Sequence, residues 1–250
     1  MILTYHSISE GQPPLAISPA VFAWQMEWLS ANARVVPLGE IVEALLAGRA
    51  LPERGVALTF DDGYRDFHAN AFPVLARFQF PATVFLPTDF CGRTNDWPGL
   101  PASVSALPLM DWTEIRELAG AGIEFGSHSA SHPYLDKVSS EGLEREIAGS
   151  KQIIRDQIGR APDFFCYPYG VWTPAVRESV RQHYRGACST GAGIVEPRSD
   201  PFALPRVDAH YVRDAAWFER LFTGFFRTYL ATRRLVRRLR GKPEGFVSRV

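Results

Sequence analysis

Three short stretches of this 250-residue chain hold side chains that could do chemistry. Asp61 and Asp62 stand side by side after the run Gly55-Val56-Ala57-Leu58-Thr59-Phe60, His128 and His132 lie four apart, and Tyr169 follows Tyr167-Pro168. Adjacent carboxylates repel, which is tolerable when a cation binds one and a partner holds the other. Neighbouring side chains at a strand end diverge, so one can ligate while the other faces a substrate or water. Taken alone, Asp61-Asp62-Gly63 reads equally well as a solvated turn with an aspartate helix cap. Histidines at i and i+4 of a helical turn project from one face and can share a metal. Core and surface histidines are also common. Two histidines plus a post-strand carboxylate would form a three-ligand set with open positions, suited to hydrolysis.

These residues fall just after strand-like runs, where parallel β/α folds place their active sites. Residues 1–5, 55–60, 82–86, 164–167, 187–189 and 203–207 read as strands. Helical signals lie between them. Ser18-Pro19 supplies an N-cap and first-turn proline for a helix to about residue 31, and Gly48 stops a second over 39–47. Residues 64–78 are helical apart from Pro73, Thr113 caps the next helix, and Ser139 or Ser140 opens a long one to Ile158. Helices over 173–183 and from Asp214 onward complete the set. This alternation predicts an α/β fold with parallel strands, closed or nearly closed into a barrel. Residues 90–110 are too long for a connector and are expected as a surface loop near the active face.

Lys+Arg and Asp+Glu both number 27, and 46% hydrophobic residues supply ample core. The 22% charged and 12% aromatic content excludes a disordered or collagen-like chain. Neutrality argues against a nucleic-acid binder. No run approaches the ~18 apolar residues of a membrane span, and the N-terminus lacks the basic start of a signal peptide. The expected location is therefore cytoplasmic or peripheral to the inner membrane face. Cys91, Cys166 and Cys188 lack metal-site spacing and read as thiols in a reducing compartment.

TFDDG (59–63), HSASH (128–132) and YPYG (167–170) resemble, in order and position, the first three motifs of the NodB-like polysaccharide deacetylases, carbohydrate esterase family 4. The resemblance covers roughly residues 1–210. It implies a distorted (β/α) barrel of about seven parallel strands and a divalent ion held by Asp62, His128 and His132. The ion is commonly zinc, though this donor set also accepts cobalt, nickel, iron or manganese. Asp61 would be the general base, Tyr169 would offer its backbone N–H to the oxyanion, and Tyr167 would lie on the substrate side.

A departing amine needs a proton from an acid. Ile2-Leu3-Thr4-Tyr5-His6 resembles the acid-bearing first strand of the circularly permuted poly-N-acetylglucosamine deacetylases, with His210 as the rival. Many relatives carry an arginine where this chain has Cys166; Arg206 is the candidate replacement beside Asp61, its other reading being a surface salt bridge. Trp97 could stack on a sugar or pack its own loop, and Trp112 could wall the pocket or join the core. The implied activity is metal-dependent removal of N-acetyl groups from amino sugars in a polysaccharide or its lipid-linked precursor. The alternatives are a silent carbohydrate-binding protein or a peripheral-membrane scaffold of exopolysaccharide assembly.

The expected parse is a catalytic domain over 1–213 and a C-terminal amphipathic, basic helix over 214–250. Residues 227–250 carry eight basic side chains and one acid, a net of +7, which leaves −7 on residues 1–226. From Trp217 onward, Trp217, Leu221, Phe225, Leu235, Val236 and Leu239 share one helical arc. That arc suits either an anionic membrane surface or docking on the barrel.

Overall fold

The strands are short runs bounded by turn residues, and β-strand residues 2–5, 55–60, 82–86 and 164–166 are buried throughout. The computed structural model describes residues 1–11, 15–100 and 104–239, with side chains through residue 233. Along the chain come β1 (Ile2–Tyr5), β2 (Ser7–Ile8), β3 (Ala16–Ile17), α1 (Pro19–Asn32), β4 (Arg34–Val35), α2 (Leu38–Leu46) and β5 (Gly55–Phe60). Next are α3 (Phe72–Phe78), β6 (Ala82–Leu86), α4 (Trp112–Gly120), β7 (Glu124–Ser127), α5 (Ser140–Glu144), α6 (Ser150–Ile158) and β8 (Phe164–Cys166). The chain continues with α7 (Pro174–His183), β9 (Gly186–Ala192), β10 (Leu204–Asp208), α8 (Ala215–Phe218) and α9 (Gly224–Leu239).

Seven strands close a ring. In order, β1, β5, β6, β7, β8, β9 and β10 pair in parallel, and β10 returns to β1. This is the distorted (β/α) barrel expected. β4 extends the edge of β5, and β2 with β3 makes a separate ladder.

Alternate residues of each strand face opposite sides of the barrel wall. Ile2, Ala57, Phe85, Phe164, Cys166, Cys188 and Leu204 form one buried cluster, closed by Val36, Leu38, Ile41 and Val42 from around α2. The intervening Leu3, Tyr5, Leu58, Phe60, Val84, Phe125 and Val207 pack outward against α1, α3, α4 and α9. There Tyr5 stacks on Phe60 at 5.2 Å while Phe22 and Phe67 meet Phe60 edge-on. Space inside the ring is short. A Cβ on Gly126 would lie 2.5 Å from the Phe85 ring and 2.9 Å from the Phe164 carbonyl oxygen, so only glycine fits.

Helix ends follow the sequence signals. Ser18 Oγ accepts from Val21 N at 3.3 Å, and Asp111 with Glu114 forms a reciprocal capping box at α4. Three stretches differ from expectation. A π-helical turn, Phe67–Ala71, precedes α3, and Pro73 sits in the first turn of α3 where no amide donor is required. A second π turn, Arg145–Gly149, joins α5 to α6 inside what reads as one helix.

The C-terminal helix expected to run unbroken from residue 214 is two helices, and Thr223 Oγ1 accepts from Phe226 N at 3.3 Å to start the second. The break resets the helical phase. Phe226 and Leu230 are buried with Phe218 and Leu221, whereas Phe225 is exposed, which corrects the expected arc. The described apolar side chains Phe226 and Leu230 of α9 are thereby used on the barrel, and a lipid-facing role for them finds no support. Residues 240–250, with Arg240, Lys242 and Arg249, lie outside the described residues, as do the side chains of 234–239. Among the described residues no helix is long and apolar enough to cross a membrane.

Gly126→Ala is expected to destabilise the protein by roughly 1–3 kcal/mol through overpacking. Urea unfolding measures this, and an unchanged midpoint would place Gly126 outside a closed barrel interior.

Candidate active site

The inward register continues past the strand ends. Asp61 follows Ala57 and Thr59, Arg206 follows Leu204, Cys166 follows Phe164, and His128 follows Gly126, so four different groups meet at the barrel mouth. Arg206 is 2% exposed, yet all five of its N–H bonds have partners. Nη1 donates to Asp61 Oδ1 at 2.7 Å and Thr59 Oγ1 at 3.1 Å. Nη2 donates to Asp61 Oδ2 at 2.6 Å and Cys166 Sγ at 3.1 Å, and Nε to the Ser189 carbonyl at 3.0 Å. Burial alone would push the Asp61 carboxyl up. The Arg206 charge and its hydrogen bonds outweigh burial and hold the group well below the usual carboxylate range. Burial pushes the Cys166 thiol well above its ordinary value, leaving it neutral at 3.7 Å from both Asp61 oxygens. The cation beside Asp61 thus crosses from β10, while β8 contributes a thiol.

Asp62 turns away from this pair. Its φ of 70° is left-handed, and its Oδ1 lies 3.4 Å from both His128 Nε2 and His132 Nε2. His128 Nδ1 is 2.7 Å from the Cys166 carbonyl, so Nδ1 carries the hydrogen and Nε2 keeps its lone pair. Burial, reinforced by His132, lowers His128 to about 4, which leaves a neutral imidazole at pH 7. An ionised carboxylate facing two imidazole nitrogens, all on buried residues, is a donor set that fits a divalent cation.

The histidine loop is shaped tightly, with Ser129 and His132 at φ 66° and 56°. Ser129 Oγ accepts from His132 N at 3.0 Å. The Trp97 ring stacks on His132 at 4.2 Å, and Tyr169 meets it edge-on at 4.7 Å. Trp97 is 3% exposed and packs also on Phe90, so it fixes His132 and cannot act as a sugar platform. Buried Asn95 ties the loop that carries Trp97 to Tyr64 Oη, to which it donates at 3.1 Å, and accepts from Leu107 N at 2.6 Å. Trp112 is half-buried and packs on the core.

His6 leaves β1 toward the same mouth, and its Nε2 lies 3.9 Å from Asp61 Oδ2. His210 belongs to the turn Ala209–Val212, and its ring pairs with Arg213 at 3.1 Å. Tyr169 sits in the turn Pro168–Gly170 at φ 57°, stacked on Tyr134 at 3.9 Å. Tyr167 corrects an expectation. It shares the outward phase of Phe165, is fully buried among residues that include Val176 and Val180 of α7, and donates to the Phe202 carbonyl at 2.9 Å. Its side chain has no surface to offer a substrate.

The structure thus gathers Asp61, Asp62, His6, His128, His132, Arg206 and Tyr169, sets His210 on the turn after β10 within electrostatic reach of His6, and leaves the Tyr167 side chain outside. Sequence reasoning passed over Asp66 and Glu146, which bond the loops carrying His6 and the histidine pair. Their sequence signal is faint: Asp66 follows the aspartate motif by three residues, and Glu146 follows the histidine motif by fourteen, on an ordinary-looking helix. A cavity of about 420 Å³, lined by Arg116, Glu124 and Asp163 among others, opens elsewhere and shares no residue with this cluster.

The profile of the family described as polysaccharide deacetylase matches residues 48–185. YxkH of Bacillus subtilis is 26% identical over 208 residues, covering 82% of this chain and 70% of that protein. The poly-beta-1,6-N-acetyl-D-glucosamine N-deacetylase of Escherichia coli K12 is 30% identical over 162 residues, which span 59% of this chain but 22% of that longer protein. The solved structure of IcaB from Ammonifex degensii superposes with a TM-score of 0.72 at 26% identity, covering 87% of this chain and 96% of that one.

Zinc titration of the metal-free chain should show one bound ion, and Asp62→Asn should weaken binding by about 100-fold or more, since the ligand's charge and one donor are lost together. Equal affinity in both proteins would remove Asp62 from the site. Arg206→Met should destabilise the fold by about 3–5 kcal/mol at pH 7, because Asp61 stays buried without its partner. The wild-type contribution holds above the ordinary carboxylate pKa, whereas the variant is relieved as its raised Asp61 takes up a proton. The stability gap should therefore narrow between pH 7 and pH 4. A gap that widens on acidification would refute the pairing.

Proposed function

The chain belongs to the polysaccharide deacetylase family, and on that premise we propose that it hydrolyses N-acetyl groups of N-acetylglucosamine units in a polysaccharide. The names of the poly-beta-1,6-N-acetyl-D-glucosamine N-deacetylase relatives support that choice of polymer. The observation that carries the reading is a carboxylate kept ionised by a buried guanidinium directly beside an Asp–His–His donor set, with a histidine 3.9 Å away.

A divalent ion held by Asp62, His128 and His132, zinc in the first instance, would supply Lewis acidity at the acetyl carbonyl and acidify a water. The protein's own groups then divide the proton work. Asp61, kept ionised by Arg206, takes a proton from the attacking water as its oxygen bonds to the acetyl carbon. The Tyr169 backbone N–H offers a hydrogen bond to the oxygen on which charge develops. As the carbon–nitrogen bond breaks, protonated His6 gives its proton to nitrogen, so acetate and a free amine leave. Without that transfer the amide nitrogen would have to depart as an anion.

Acetate release from β-1,6-linked N-acetylglucosamine oligomers tests this directly. Asp61→Asn should lower kcat by about 10²–10⁴-fold. Arg206→Ala should also lower kcat, and by a larger factor than it weakens metal binding. Dipicolinate should abolish release, and added Zn²⁺ should restore it. Activity that survives both Asp61→Asn and chelation would sink the mechanism.

A further inference from the structure

Two acidic side chains outside the sequence motifs hold the loops that carry the chemistry. Between His128 and His132 the chain has left-handed Ser129 and ends on left-handed His132. Such backbone persists only where its surroundings impose it. Among the groups that impose it, beside Ser127 and Ser129 Oγ and the backbone of Thr88 and Asp89, is Glu146, 4% exposed and set in the π turn Arg145–Gly149. Its Oε2 accepts from Ala130 N at 2.9 Å and Ser131 N at 2.8 Å, and its Oε1 from Ser131 Oγ at 2.7 Å. All three bonds fall between the two histidines. Arg145 Nη1 donates to the same Oε1 at 3.0 Å and fixes the carboxylate in turn. A π turn re-aims the side chains that follow it, and such turns recur at functional sites.

The π turn before α3 does the same for the loop that follows His6. Asp66, half-buried at the start of Phe67–Ala71, accepts from Ile8 N at 2.9 Å and from Ser7 Oγ at 2.5 Å. From within that turn Asn70 donates to the Ile8 carbonyl at 2.7 Å. The peptide leaving His6 is therefore bonded through Ser7 and through both backbone groups of Ile8.

We propose that Glu146 and Asp66 are positioning residues with separate duties. Glu146 sets His128 and His132 for a divalent ion, and Asp66 sets His6 for proton delivery. Both duties rest on the deacetylase reading above.

Separate duties predict separable defects in the full chain. The Zn²⁺ dissociation constant is measured by competition with a chromophoric chelator. Turnover is compared on β-1,6-linked N-acetylglucosamine oligomers and on p-nitrophenyl acetate, whose phenolate leaves without a proton. Glu146→Ala should weaken Zn²⁺ by about 10–100-fold. Glu146→Gln, whose amide oxygen can keep the two backbone bonds, should fall between it and wild type and guards against a misfolded Ala variant. Asp66→Asn should keep Zn²⁺ affinity within about twofold, yet lower amide turnover at least about tenfold more than ester turnover.

Glu146 variants that lose thermal stability but bind Zn²⁺ like wild type would overturn the first duty. Equal loss on both substrates in Asp66→Asn would overturn the second. Wild-type chain that binds no Zn²⁺ or releases no acetate overturns the reading beneath both, and does so before any variant is compared.

Discussion

The buried pair of Asp61 and Arg206 is the constraint around which the barrel mouth is arranged. Neither ion could be left alone there, since an unpaired charge at 2–3% exposure is severely destabilising. Satisfying the guanidinium draws on four strands: Thr59 and Asp61 from β5 and its end, Cys166 from β8, Ser189 from β9, and Arg206 itself on β10. Closure of the ring is what brings them together, because β5 meets β10 only through β1.

Given that pair, Asp62 has to be sent elsewhere. Two ionised carboxylates on successive residues are compatible only if they diverge, and the left-handed φ of Asp62 separates them beyond what strand alternation does. The same device recurs. Among the described residues six non-glycine positions have positive φ, and Asp62, Ser129, His132 and Tyr169 all lie in the three motifs. Each costs roughly 1–2 kcal/mol relative to right-handed backbone. The site is accordingly held by polar bonds from outside the motifs and by rings such as Trp97 and Tyr134.

Most of the barrel was legible because its strands are compact apolar runs ending in the chemically conspicuous residues. Gly55–Phe60 and Ala82–Leu86 read as strands from composition alone. Arg206 was legible for a physical reason as well: a charge within a run that buries needs a partner. Tyr167 misled because its motif says nothing about which side of the wall a residue faces; the alternation of Phe164, Phe165 and Cys166 carries that information. The π turns could not be read, since one extra residue in a helix leaves no mark in composition. The break before α9 was hidden likewise, because Thr223-Gly224 is a modest signal beside a strong amphipathic pattern.

Arg206 also distinguishes the two donor sets at the mouth that could take a cation. The mouth offers two overlapping donor trios, Asp62–His128–His132 and Asp61–His128–Cys166, and His128 belongs to both. With the Asp61 charge countered by the guanidinium and Cys166 held as a neutral thiol, the second trio has no uncompensated anionic donor. Asp62 is then the carboxylate of this cluster without a protein cation beside it, and the first trio is the one equipped for a divalent ion. In the proposed mechanism one arginine thus separates the roles of two neighbouring aspartates, keeping one for the proton and leaving the other for the metal. A cysteine in place of an arginine on β8 is compatible with this division because the charge that matters arrives from β10.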